Sequence, residues 1–429
     1  MSRRAEREAE RMFGTMSRRM FLDRAGRLLL GGAAAAAVPG PAAASRRTEK
    51  MTRATEKPAA GARGMTLFLC GDVMTGRGID QILPHPGDPV LHEGYATSAL
   101  DYVALAERAN GPIPRPADFA YVWGDALAEW AHIAPDLRIV NLETAVTTRD
   151  DWQRGKGIHY RMHPANAPCL TAAGIDCCVL ANNHVLDWGY AGLAETLLTL
   201  RRARLQTAGA GRDRAGAAAP AVLSVAGKGR VLVFSFGAQS SGIPPEWAAA
   251  AGLPGVNLLP DLSPATLQQI AAQVEAVKRP ADVVVASLHW GGNWGYAVPA
   301  DHQRFARGLI DRCGVDVVHG HSSHHPMGIE VYRGRLILYG CGDFLNDYEG
   351  IAGYGAYRGD LSLMYFLEVD PASGALLRLR MVPMQTRRFR LNRASEKDAR
   401  WLRMRLDRES RPLGSQVEAG PDGSLELRW

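Results

Sequence analysis

Short apolar runs that each stop at a polar residue recur along the chain, separated by stretches of helical period. Residues 66–70 run into Gly71-Asp72, 137–140 into Asn141-Leu142-Glu143, and 176–181 into Asn182-Asn183-His184. Two more runs, 283–288 and 315–318, end at His289 and at His319-Gly320-His321. Each reads as a buried strand opening into a loop. Helical patterns cover 119–133, 164–173, 189–203, 264–277 (with Ser263 as N-cap) and 303–312, and a further strand covers 230–236. After residue 328 the period changes. Strands are expected at 329–332, 335–339, 361–369 and 376–382, with Arg333-Gly334 as a tight turn between the first two. A basic helix over 395–408 is expected to pack on the outside. The reading is an α/β chain with a β-rich C-terminal half. It has one main domain at 65–390, a flexible linker at 45–64 and a helical extension at 391–429.

Composition adds little to that picture but closes off alternatives. Hydrophobic residues make up 46% and charged residues 22% of 429, the balance of an ordinary globular chain. Apart from the N-terminus there is no apolar run long enough to span a bilayer. The formal charge of +6 is concentrated at the start: residues 1–44 hold eight arginines and four acids, leaving 42 basic against 40 acidic residues. A nucleic-acid partner needs a concentrated basic face, and the body shows none. The six cysteines form no CxxC pair and read as buried free thiols.

The N-terminus reads as an address. Ser17-Arg18-Arg19-Met20-Phe21-Leu22 is followed by an Ala/Gly-rich apolar stretch at 28–38 and by Ala42-Ala43-Ala44. Charged, apolar and small-residue regions stand in the order of a signal peptide, and the paired arginines resemble a twin-arginine export signal. The expectation is export by that route, to the periplasm or to a membrane-anchored position outside the cytoplasm.

The polar residues at the strand ends carry the chemistry. Asp72, Glu143, Asn183, His289 and His321, with His324 close behind, combine carboxylate, amide and imidazole groups. In α/β sheets the carboxyl ends of strands converge on a ligand crevice, and this mixed donor set suits a divalent transition metal. Arg77, just past the first strand, is a candidate for a substrate anion, and Trp290 for stacking on a substrate. No GxSxG elbow and no P-loop is present.

Taken in order, several elements resemble the CapA family, the poly-γ-glutamate capsule synthesis proteins. They are Gly71-Asp72-Val73-Met74, Asn141-Leu142-Glu143, Asn182-Asn183-His184-Val185-Leu186-Asp187, Leu288-His289-Trp290-Gly291, Gly320-His321-Ser322-Ser323-His324 and Gly328-Ile329-Glu330-Val331-Tyr332. The likeness spans roughly residues 65–350. That family is in turn similar to the calcineurin-like metallophosphoesterases. The resemblance implies a two-sheet β-sandwich flanked by helices, with one or two divalent ions (Mn, Fe or Zn) at its rim. It implies that Asp72 is a ligand from the first strand and that Glu143 stands where phosphoesterases have a bridging Asp. Asn183 would be an amide ligand, and His289, His321 and His324 would complete the shell. His184 would be the unligated acid beside the leaving oxygen.

The sequence also departs from the pattern. Met74 stands where phosphoesterases have a histidine, which puts one metal subsite in doubt. Ser322 and Ser323 replace the usual His-Pro, and Asp343 replaces an Asn, a change read here as a turn carboxylate. The functional expectation is an exported metal-dependent hydrolase of the phosphoesterase type, linked to capsule or poly-γ-glutamate synthesis. The alternative is a non-catalytic assembly or polyanion-binding factor. An anionic polymer or phosphoester would be the substrate, and membrane-bound capsule synthesis proteins the partners.

Overall fold

The structure, a computed structural model, describes residues 64–429 apart from 352 and 354. The stretches expected to be an export signal and a linker lie, apart from Gly64, outside the described residues.

Two sheets make up the framework. The first strand, β1 (Met65–Val73), lies in the middle of the first sheet. On one side it pairs in parallel with β2 (Leu137–Leu142), followed by β3 (Cys177–Val179) and β4 (Gln206–Ala208). The second sheet is built on a parallel core of β5 (Gly229–Ala238), β6 (Asp282–His289) and β7 (Val317–His321). It ends in the hairpin β8 (Ile329–Tyr332) and β9 (Arg335–Leu338). Its turn is Arg333-Gly334, both at positive φ (50° and 74°), as a tight hairpin with primed-turn geometry requires. Back in the first sheet, β10 (Leu361–Val369) pairs antiparallel with the other edge of β1, and β11 (Leu376–Thr386) follows it.

Strand alternation explains the layering. Met65, Leu67 and Leu69 of β1 share one core with Val231 and Val233 of β5, Val283 and Val285 of β6, and Val317 of β7. The intervening residues of the second sheet, among them Leu232, Phe234, Val284 and Leu288, face a separate core. There they meet Leu267 and Ile270 of the helix Pro264–Glu275 and Phe305 and Leu309 of the helix Ala300–Cys313. Because both faces of β6 are covered, all eight of its residues are buried. On the opposite flank Phe68 of β1 meets Trp130 edge-on at 5.1 Å. The result is an α/β fold, a two-sheet sandwich flanked by helices, as expected. Ser263 caps its helix by accepting from Thr266 N–H, also as expected. All six cysteines are buried and free.

Three segments differ from the sequence reading. The expected helix at 119–133 is a short 3-10 turn, Tyr121–Trp123, and then a helix, Ala126–Ile133. Gly124 breaks it at φ 46°, and a Cβ there would lie 2.1 Å from the carbonyl oxygen of Leu391. A helix at Ala99–Asn110 went unassigned although Ser98 and Asp101 form a capping box at its start. The extension at 391–429 is not wholly helical. Its helix Glu396–Ser410 buries Leu402 and Leu406 in the sandwich core, and two strands follow, Gln416–Ala419 and Leu425–Arg428. The second of these pairs with β11 and so belongs to the main sheet.

Candidate metal centre

Backbone register brings the strand ends together. Asp72 is the register partner of Asn141, and His289 that of His321. Glu143 follows β2 directly, and Asn183 and His184 lie in the loop after β3. Gly71 allows a close crossing beside Asp72. A Cβ on it would lie 1.8 Å from the carbonyl oxygen of Gly342, whose neighbour Asp343 is thereby held against the end of β1.

The side chains converge. Asp72 Oδ1 accepts from Asn141 Nδ2 at 2.8 Å and lies 2.9 Å from His321 Nδ1, and Oδ2 accepts the Ser322 N–H at 3.2 Å. Burial by itself would raise the Asp72 carboxyl; the hydrogen bond and charge of His321, helped by His289, outweigh it and hold the group well below the usual range. Glu143 goes the other way, raised by burial and then by the negative charges of Asp72 and Asp343. Burial pushes the His289 imidazole down to about 3. His289 Nε2 lies 3.1 Å from Asn183 Oδ1 and 3.6 Å from Glu143 Oε1. Asp72, Glu143 and His289 each offer a ligand atom within 4.8 Å of the others.

Two atoms in this cluster, Glu143 Oε2 and His321 Nε2, are buried without a hydrogen-bond partner. An unpaired buried carboxylate oxygen and imidazole nitrogen are costly, and natural proteins rarely leave such groups unsatisfied. A divalent cation would satisfy both, and carboxylate, amide and imidazole donors are the set it prefers. The residues fit a metal ion: Asp72, Glu143 and His289 offer the converging ligand atoms, and Asn183 and His321 stand beside them.

His184 borders this cluster. Its Nδ1 is 2.6 Å from Asp187 Oδ2, and its Nε2 is 3.8 Å from Glu143 Oε1. Lys156 reaches the same place and bonds to Asp187 and to the carbonyl oxygen of Asn183. Burial and the Lys156 ammonium push the His184 imidazole down to about 4, against the pull of Asp187. Nδ1 thus faces Asp187 Oδ2 and, at 3.0 Å, the Lys156 ammonium, while Nε2 is turned toward Glu143.

The remaining candidates lie elsewhere. His324 is close by, but its Nδ1 is directed at Asp343 Oδ1 at 2.8 Å. Asp343 is thus an orienting carboxylate, itself held by Asn346 at 2.9 Å, and not simply a turn residue. Arg77 does not offer its charge to a substrate. It is buried, bonds to Glu93 at 3.0 Å and to Asp347, and packs between the rings of Tyr102 and Tyr160. Trp290 is also a packing residue. It is 2% exposed, donates to the Tyr339 carbonyl oxygen at 3.0 Å and stacks on His302. Asn141 and Asp187 lie inside motifs quoted above, but their roles were not read from them. For Lys156 the sequence carries no signal, because a lone lysine in a polar loop looks like any solvated charge.

The profile of the bacterial capsule synthesis proteins PGA_cap matches residues 66–348. The chain belongs to that family. It is 50% identical over 364 residues to a probable polyglutamine synthesis accessory protein of Mycobacterium tuberculosis, covering 85% of this chain and 96% of that one. It is 28% identical over 285 residues to the PGA biosynthesis protein CapA of Bacillus subtilis, covering 66% of this chain and 63% of that protein. Among solved structures it is similar to a phosphatase from Mycoplasma pneumoniae, at 12% identity and a TM-score of 0.42, over 76% of this chain and 96% of the other. The candidate metal cluster falls wholly inside the residues matched by the PGA_cap family.

Proposed function

We propose that this CapA-type chain is an exported, metal-dependent hydrolase of the phosphoesterase type that acts in capsule or poly-γ-glutamate synthesis. The observation that carries the reading is the pair of unpartnered buried atoms, Glu143 Oε2 and His321 Nε2, beside the Asp187–His184 pair. The names of the relatives support the biological setting. A divalent ion (Mn, Fe or Zn) held by Asp72, Glu143, Asn183, His289 and His321 would polarise a phosphoryl or carbonyl oxygen of the substrate.

The chain's own residues supply the rest. Asp187 fixes the His184 ring and its tautomer, so that Nε2 can accept a proton from an attacking group and return it to a leaving oxygen. Lys156 ties Asp187 and the Asn183 carbonyl together beside that ring. The substrate class is an anionic polymer or a phosphoester, and the setting calls for membrane-bound synthesis proteins as partners. Arg18-Arg19 and the apolar stretch after them support export by the twin-arginine route.

The test combines elemental analysis with hydrolysis assays on phosphodiesters and γ-linked polyglutamate. At least one transition metal per chain together with turnover is expected. A fully loaded protein that turns over none of them would leave the assembly-factor reading. Occupancy below a few per cent after reloading would remove the site assignment itself.

A further inference from the structure

We propose that Met74, Tyr348 and Tyr160 fill the space beside Asp72 that a second cation would need, so that the centre holds a single divalent ion. The inference rests on the metal-centre reading above and settles its ion count.

Met74 follows Asp72 by two positions, just past the end of β1. It is fully buried. Its thioether accepts from the Tyr348 hydroxyl at 3.6 Å, and that hydroxyl accepts from Tyr160 at 2.9 Å. The Tyr160 ring stands edge-on to His184 at 4.5 Å and the Tyr348 ring edge-on to His324 at 5.6 Å. The two tyrosines therefore span the gap between those imidazoles. A thioether is a poor ligand for a hard or borderline cation, and a phenol must first lose its proton to become a good one.

The filling is also held rigidly. The Arg77 guanidinium lies 4.4 Å from the Tyr160 ring centre and 3.9 Å from that of Tyr102, and is fixed by its ion pairs to Glu93 and Asp347, the residue preceding Tyr348. Moving the tyrosines aside would disturb a buried ion-pair cluster. His324, the remaining imidazole on that side, has Nδ1 on Asp343 and its ring edge-on to Tyr348, and it does not join the converging ligand atoms. Among the described residues, Asp72, Glu143 and His289 form the single group of three carboxylate or imidazole side chains whose ligand atoms converge.

The experiment strips the full chain with a chelator, reloads it with Mn²⁺ alone, and removes the excess by gel filtration. Elemental analysis should give one Mn per chain, and low-temperature electron paramagnetic resonance the spectrum of an isolated ion. Two Mn per chain with an exchange-coupled spectrum overturns the inference and leaves the metal centre standing. Negligible Mn overturns the metal centre, and the inference with it. The double variant Met74→His with Tyr348→Ala should bind more than one ion. If it is folded by circular dichroism and still binds one, the tyrosines are not what limits the count; if it does not fold, the wild-type stoichiometry decides.

Discussion

Asp72 and His321 stand 249 positions apart in the chain, yet their side chains meet at 2.9 Å. One comes from the first sheet and the other from the second, so a cation that both help to hold would clamp the sandwich at its rim. Metal should therefore stabilise the fold by mass action, by about 2.7 kcal/mol at a free concentration one hundred times Kd. Thermal unfolding with and without a chelator measures it. Asp72→Asn should abolish most of that difference; an undiminished metal-dependent shift in Tm would exclude Asp72 as a ligand.

His184 and His289 should respond differently to the same substitution. His184→Asn should retain metal and fold while lowering turnover roughly 10²–10⁴-fold, the usual worth of a positioned acid or base. His289→Asn should lose metal affinity first and activity as a consequence. Equal loss of metal in both variants would make His184 a ligand.

Asp187 acts through His184. Asp187→Asn cannot fix the same tautomer, so kcat should fall on the order of 10²–10⁴-fold with metal content unchanged. The check is metal analysis alongside steady-state kinetics, where a change confined to KM would contradict the assignment.

Arg77→Met tests the correction made to that residue. With Glu93 and Asp347 left buried and unpaired, unfolding free energy should drop by about 3–5 kcal/mol. Urea denaturation reads this directly. A variant of full stability that bound substrate less well would restore the anion-binding role.

Export rests on sequence alone. Arg18→Lys with Arg19→Lys should leave the protein in the cytoplasm, because lysine does not reproduce the planar guanidinium. Cell fractionation decides it, and unchanged export would withdraw the targeting claim.

The strand ends were legible because each candidate ligand ends a local apolar run, and the runs are set by strand alternation. Asp72, Glu143, Asn183, His289 and His321 could be read for that reason. Arg77 and Trp290 could not be assigned in the same way. Whether an arginine faces substrate or two acids depends on Glu93 and Asp347, the latter 270 positions away. The C-terminal strand Leu425–Arg428 was missed because Glu426 and Arg428 interrupt the apolar signal, and its pairing with β11 is a tertiary fact. The Tyr160–Tyr348 contact joins residues 188 positions apart and leaves no mark on either local sequence.

The place of β1 has a consequence for how the molecule is made. It is synthesised well before β10, yet it lies between β2 and β10, and its pairing with β10 joins Met65 to Val369. Until that later segment has emerged from the ribosome, one edge of β1 has no partner, and an unpaired hydrophobic edge is a template for aggregation. Nascent chains ending before residue 361 should therefore need a holding chaperone, and the centre around Asp72 can assemble only after β7, which carries His321, has been translated.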